Sequence, residues 1–231
     1  VSFAGRVAFV TGGASGIGAA LATKLVDGGA DVWIADRQID AARALAQRLA
    51  TGAGKAHAIE LDVRDYPAFE RAAGEAVRQS GQIDYLFNNA GIGVGGEVDS
   101  YTLDDWNDVL DVNLHGVVHG IQAVYPIMIR QRSGHIVNTA SMAGLLASPG
   151  AVSYTGASDE ALLKFWEPMR PLPPEKFAER VLRAVSRNAA IIIVPGWWKA
   201  LWYLERLSPA ISAQAARLSL KRLRAMQHTT R

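Results

Sequence analysis

One eight-residue run constrains this chain more than any other. Thr11-Gly-Gly-Ala-Ser-Gly-Ile-Gly18 joins an apolar strand pattern at Arg6–Val10 to a helical pattern over Ile17–Asp27. A glycine-rich turn at that place sets a helix N-terminus, with its unpaired N–H groups, at the end of a buried strand. Gly12 permits the tight turn, Gly16 lets backbone come close to a phosphate, and Gly18 lets the helix pack near the sheet. Ser15 and Ile17 lie in the same stretch and bring no charge to it. The spacing is Gly-x-x-x-Gly-x-Gly, which differs from the Gly-x-Gly-x-x-Gly of long-chain dinucleotide enzymes. Tight strand–helix turns use glycine without any ligand, so the run acquires meaning from its surroundings.

Those surroundings alternate. Further strand patterns fall at Asp31–Ala35, Ala56–Val63, Ile83–Phe87 and His135–Thr139. Helical patterns fall at Asp40–Leu49 and Tyr66–Gln79. A long one follows Thr102, with Leu103, Trp106, Leu110, Leu114, Val117 and Ile121 on one predicted face. Strand–helix alternation at this spacing predicts a doubly wound parallel sheet with helices on both faces. A length of 231 residues, 49% of them apolar, suits one such domain. The absence of Cys excludes a disulfide scaffold and any Cys-ligated zinc or iron–sulfur site. No apolar run reaches the ~18 residues of a membrane span, and Val1–Val10 reads as strand and not as a leader. A cytoplasmic protein is expected.

Asp36 falls at the end of the second strand, 18 positions after Gly18. An acid there can bind both ribose hydroxyls of NAD and repels a 2′-phosphate. The adjacent Arg37 would attract that phosphate and keeps NADP open. Asp36 can also be read as a helix cap. NAD is the expected cofactor.

With these features in order, the chain resembles the short-chain dehydrogenases/reductases over roughly Val1–Ser158. Thr11–Gly18 looks like the family's TGxxxGxG turn, and Asp62-Val63 like its adenine-contacting pair. Asn88-Asn89-Ala90-Gly91 is similar to its NNAG segment, whose Asn89, Ala90 and Gly91 would line the cofactor. Asn113, in Leu110–Gly116 (LDVNLHG), resembles the helix-borne catalytic Asn. Ser141, in IVNTAS, resembles the catalytic Ser, and Tyr154, 13 residues later, the catalytic Tyr.

The resemblance implies a Rossmann-like fold and a hydride transfer between NAD(P) and an alcohol or ketone. It also implies a homodimer or homotetramer. In that chemistry Tyr154 exchanges the proton of the substrate oxygen and lies beside the cofactor. Ser141 hydrogen-bonds the same oxygen, and Asn113 orders a proton-relaying water. Taken singly, Ser141 reads as a turn residue, Tyr154 as a surface aromatic and Asn113 as a buried polar group. Jointly, at the family's spacing, they read as a site.

One position departs from the pattern. The family's Tyr-x-x-x-Lys is here Tyr-Thr-Gly-Ala-Ser, so Ser158 stands where the lysine belongs. An unperturbed tyrosine ionises near pH ~10, and the lysine's charge is what favours the phenolate. Lys164 does not substitute, because ten residues of helix carry it about 80° away. Asp159-Glu160 opens a new helical pattern (ALLKFWEPMR) at once. After Pro171–Pro174 come a helix over Glu175–Ser186 and a strand at Ala189–Val194. The family's sixth strand and substrate-covering loop have no counterpart between Tyr154 and Ala189. Either a segment is missing after Ser158, or the deletion is natural and the protein binds nucleotide without catalysis.

On this reading residues 1–196 form the nucleotide-binding catalytic domain and 197–231 a basic, Trp-rich helical extension. Pro195 to the end holds seven basic residues (Lys199, Arg206, Arg217, Lys221, Arg222, Arg224, Arg231) against one acid, Glu205. Trp197, Trp198, Trp202, Tyr203, Leu204 and Leu207 crowd its start, and Pro209 predicts two short helices. The segment suits a peripheral contact with an anionic membrane, a wall over an apolar or lipid-like substrate, or packing on the body. Nucleic acid is not expected, since no recognition motif accompanies the charge. No metal site is expected: His115 and His119 share a helix face but lack a third ligand.

Overall fold

The computed structural model describes residues 1–94, 101–141 and 172–208, together with Gln214 and Leu218. Tyr154, Ser158 and the helical pattern that follows them lie outside the described residues. Five strands run β1 (Val7–Thr11), β2 (Asp31–Asp36), β3 (Lys55–Glu60), β4 (Tyr85–Asn88) and β5 (His135–Asn138). The helices are α1 (Gly16–Asp27), α2 (Ile39–Leu49), α3 (Tyr66–Ser80), α4 (Leu103–Leu110), α5 (Gly116–Gln131), α6 (Pro174–Val185) and α7 (Trp198–Leu207). The sheet is wholly parallel in the order β3-β2-β1-β4-β5. Chain order therefore reverses between β1 and β4, and that reversal opens the crevice where doubly wound sheets bind ligands.

Burial explains the strands. β1 is buried at every position, and Phe9, Phe69 and Phe87 are among the largest fully buried side chains. Phe9 of β1 stacks on Phe69 of α3 at 5.8 Å. α3 starts as its sequence dictates, with the Asp65 side chain accepting from the Ala68 N–H and Pro67 in its first turn. It stops at Gly81, whose φ is +81°. α6 buries Ala178, Val181, Leu182 and Val185, a three-and-four spacing, and lies against α1.

Three sequence expectations change. The third strand ends at Glu60, not Val63: the Leu61 N–H makes a last ladder bond to the Asp36 carbonyl of β2, and Asp62 then opens a turn whose carbonyl accepts from the Asp65 N–H. The long helix after Thr102 is α4, then a π-helical turn over Asp111–His115, then α5. The extra residue in that turn rotates the apolar face. Val112, Gly116, Gly120, Val124 and Met128 are buried, while Leu103, Leu110 and Leu114 are exposed. Residues 189–194 form no strand. A central-type strand needs a laddered neighbour, and Ile191 stands exposed.

The chain divides into two compact units. One holds Val1–Gly91, Leu110–Thr139 and Pro174–Ala190; the other holds Ile92–Val109, Ala140–Pro173 and Ile191–Arg231. The sheet belongs to the first. Its N-terminal edge is held by Asp84, which is buried and accepts from the Val7 N–H (2.8 Å), Arg6 Nη1 (2.8 Å) and Gln82 Nε2 (2.7 Å). The exposed Arg6 contributes little through water, but the Val7 N–H has no solvent to turn to. Asp84→Ala should therefore lower unfolding free energy by about 2–3 kcal/mol, read from urea denaturation. Asp84→Asn, which retains one acceptor, should lose less.

Candidate functional site

The glycine-rich turn leaves the C-terminal end of β1 and is fastened to the end of β4. Thr11 is buried; its hydroxyl donates to the Phe87 carbonyl (3.3 Å) and accepts from the N–H groups of Asn89 (3.0 Å) and Ala90 (3.1 Å). Asn89 Nδ2 returns the link, donating to the carbonyls of Thr11 (3.1 Å) and Gly12 (3.3 Å). Gly12 is a glycine of necessity. Its φ is +59°, and a Cβ there would lie 2.8 Å from Ala90 Cα. A side chain on Gly18 would likewise strike the Gly12 carbonyl and Asn89 Nδ2.

Gly16 differs, for its φ is +51° but nothing stands within 4 Å of where a Cβ would be. Open space faces the start of α1 at that point. Ser15, the residue before the helix, is exposed and makes no side-chain cap, and no acid occupies the first turn. The N–H groups of Gly16, Ile17 and Gly18 thus keep the partial positive charge of a helix N-terminus. α3, whose end is closed by Asp65, offers no such feature. A pyrophosphate fits the residues present at α1.

Asp36 ends β2 and is 8% exposed. Its Oδ2 accepts from the Ala14 N–H inside the glycine-rich turn (3.0 Å), and its Oδ1 from the Gln38 N–H (3.0 Å). It is therefore not the cap of α2, whose preceding residue is Gln38. Instead it ties β2 to the phosphate turn, and each oxygen retains a lone pair for a ribose hydroxyl. Arg37 is exposed. Its charge helps to hold Asp62 ionised, although the larger cause is the hydrogen-bonded Arg64 guanidinium. Arg64 Nη2 lies 2.7 Å from Asp62 Oδ2, which lowers the Asp62 carboxyl below its ordinary range against a smaller opposing effect of burial.

Val63 turns its side chain inward against Gly116, so only its backbone is available to a base. His119 Nδ1 donates to the Val63 carbonyl (2.8 Å), whereas His115 Nδ1 pairs with Asp111 (2.9 Å). The two histidines thus have separate partners. Among the described residues no group of three acids or histidines is arranged to hold a metal.

Asn113 lies within the π turn and is exposed, where the sequence allowed a buried polar group. A Cβ on Gly91 would stand 3.4 Å from Asn113 Oδ1, so the end of the β4 loop and the π turn meet. Such turns widen a helix locally and re-aim a side chain. Ser141 is half-buried, two residues beyond Thr139. Sequence reasoning passed over Thr11, Asn138 and Thr139 as working residues. Asn138 Oδ1 accepts from Asn88 Nδ2 (2.9 Å) across the β4–β5 pair, and the Thr139 N–H donates to the Asn88 carbonyl (2.9 Å). Their position at strand ends beside the recognised motifs was the available signal.

Comparison with known proteins agrees with this geometry. The family model described as short chain dehydrogenase matches residues 6–171. An uncharacterized oxidoreductase of Listeria monocytogenes, Lmo0432, is 35% identical over 165 residues, covering 71% of this chain and 66% of that protein. The trans-4-hydroxycyclohexanecarboxylate dehydrogenase of Sinomonas cyclohexanicum is 38% identical over 158 residues, covering 66% and 61%. This chain thus spans just under two thirds of the length of the curated relatives it matches. Among solved structures, a short chain dehydrogenase/reductase from Burkholderia phymatum in complex with NAD superposes with a TM-score of 0.79. It is 25% identical, and the match covers 91% of this chain and 96% of that one.

Proposed function

We infer the function from a fixed premise: this chain belongs to the short-chain dehydrogenase family. On that footing it is an NAD-dependent oxidoreductase acting on an alcohol or ketone, with the relatives' dehydrogenase names and the NAD-bound neighbour in support. NAD, when bound, supplies or takes up the hydride. The observation that carries the reading is the join between Asp36 and the glycine-rich turn. One carboxylate stiffens the phosphate cradle and presents negative charge where a ribose 2′-phosphate would come. Within the site, Tyr154 exchanges the proton of the substrate oxygen, Ser141 donates a hydrogen bond to it, and Asn113 orders the water that relays the proton.

Titration with NAD and NADP tests the cofactor assignment. NAD should bind more tightly. Asp36→Asn keeps one acceptor for the Ala14 or Gln38 N–H but removes the charge. It should weaken NAD about tenfold or more, the size of a lost charge-assisted bond, and bring NADP closer to NAD. Tighter NADP binding by the unaltered protein would mean that Arg37 outweighs the acid.

A second reading rests on Ser158. With serine where the family has lysine, the protein binds nucleotide without turning over substrate. An intact mass separates the two: a mass of 24.8 kDa removes the missing segment and favours the inactive reading. We place the protein in the cytoplasm as a homo-oligomer. The supporting feature is an exposed stripe along one side of α5 and its preceding turn (Leu114, Val118, Tyr125 and Ile129), which a second copy would cover. Among the described residues no helix is long and apolar enough to cross a membrane.

A further inference from the structure

We propose that α7 is an interfacial helix that seats this protein on an anionic lipid surface. The helix has ten residues, Trp198–Leu207. At about 100° per residue, Tyr203, Leu207, Ala200 and Leu204 fall in that order within an arc of about 100°. All four are exposed, with Tyr203 at 57%, Leu204 at 40% and Leu207 at 84%. Trp197, 46% exposed and stacked on Trp198 at 4.7 Å, continues the apolar arc beyond Leu204. An isolated exposed leucine is ordinary, but a contiguous stripe of this kind marks a contact surface.

Charge identifies the occupant. Lys199 and Arg206 both border the stripe on its Tyr203 side, where long basic side chains can lay their stems on apolar surface and lift their charges to a headgroup layer. Arg206 already lies over the Trp202 ring, 5.3 Å from its centroid. Aromatic rings, an apolar arc and flanking cations are the make-up of a helix lying in a membrane interface. The sequence after α7 adds five more basic residues and no acid, so from Pro195 on the chain carries seven basic residues against the single acid Glu205. A neutral apolar partner would leave these cations unused, and a second copy would bring them against like charge.

Sedimentation of the whole chain with vesicles tests the proposal. Vesicles of phosphatidylcholine mixed with phosphatidylglycerol should carry the protein down, those of phosphatidylcholine alone should not, and added salt should weaken the binding. The double variant Leu204→Glu with Leu207→Glu should abolish it. Lys199→Gln with Arg206→Gln, which leaves the apolar stripe intact, should weaken it about 25-fold, about fivefold for each charge. Circular dichroism and thermal unfolding of both variants check that the body is intact. Absence of binding to the anionic vesicles, or equal salt-insensitive binding to both kinds, overturns the proposal. So does a fall in lipid-free molecular mass in the glutamate variant, since a second copy would then be what covers this face.

Discussion

Turnover of a secondary alcohol should fall by about 10²–10⁴-fold in Tyr154→Phe, while NAD affinity stays nearly as it was. The substitution keeps the ring and removes only the group that exchanges the proton, so binding and chemistry separate. NADH absorbance follows the chemistry and calorimetry follows the binding. Ser158 sharpens the test. Four residues of helix would put it one turn from Tyr154, and a cation there would favour the phenolate. Ser158→Lys should then raise turnover near neutral pH and move the acidic limb of the pH profile down, since the phenolate then persists to lower pH. Full activity in the Phe variant would end the assignment of Tyr154. Absence of turnover in the unaltered protein, with NAD still bound, would favour the non-catalytic reading.

Gly12→Val should remove NAD binding, weakening it by at least about 100-fold, and should also lower the melting temperature. A β-branched residue at φ +59° costs about 1–3 kcal/mol in backbone strain alone. Its Cβ would also lie 2.8 Å from Ala90 Cα and 3.2 Å from Ala90 N, and neither atom can yield without moving the β4 loop. Displacing Ala90 breaks the bonds that Thr11 receives from Asn89 and Ala90, and with them the shape of the cradle. Gly16→Ala is the contrast. Its φ is also positive, but its methyl meets nothing in the protein. It should cost about 1–2 kcal/mol of stability yet still impair NAD, because the methyl enters the space left for phosphate. Equal melting temperatures for the two variants would remove the argument from Ala90.

Much of this was legible in the chain. The periods of apolar residues located all five strands and the helices between them, because a doubly wound sheet buries its strands on both faces and its helices on one. Strand ends were less legible. Ala56–Val63 interleaves apolar and polar residues to its end, and only the turn bond from the Asp65 N–H to the Asp62 carbonyl shows where pairing stops. The face of the helix after Thr102 was misread for a different reason. A regular period carries Leu103, Leu110 and Leu114 inward, and one π turn carries them out. Nothing in DVNLH announces that turn, since its cost is repaid by the packing of Gly116 on Val63 and Gly120 on Asn88.

The sequence by itself determined which chemistry the chain can carry. Glycine spacing, an acid at the end of the second strand, NNAG, and the Asn113, Ser141 and Tyr154 series are properties of residue type and order. So is the serine at 158. Only the tertiary structure decided how Asp36 is used. One oxygen makes the local bond to the Gln38 N–H that its own segment offers, yet the other reaches the Ala14 N–H of a different βα unit. Likewise only the fold made Thr11 and Asn89, 78 residues apart in the chain, a single clasp. Local patterns report what a residue can bond to. Parallel pairing of β1 with β2 and β4 sets which distant groups arrive within 3 Å, and buried polar groups then take the partners that packing brings.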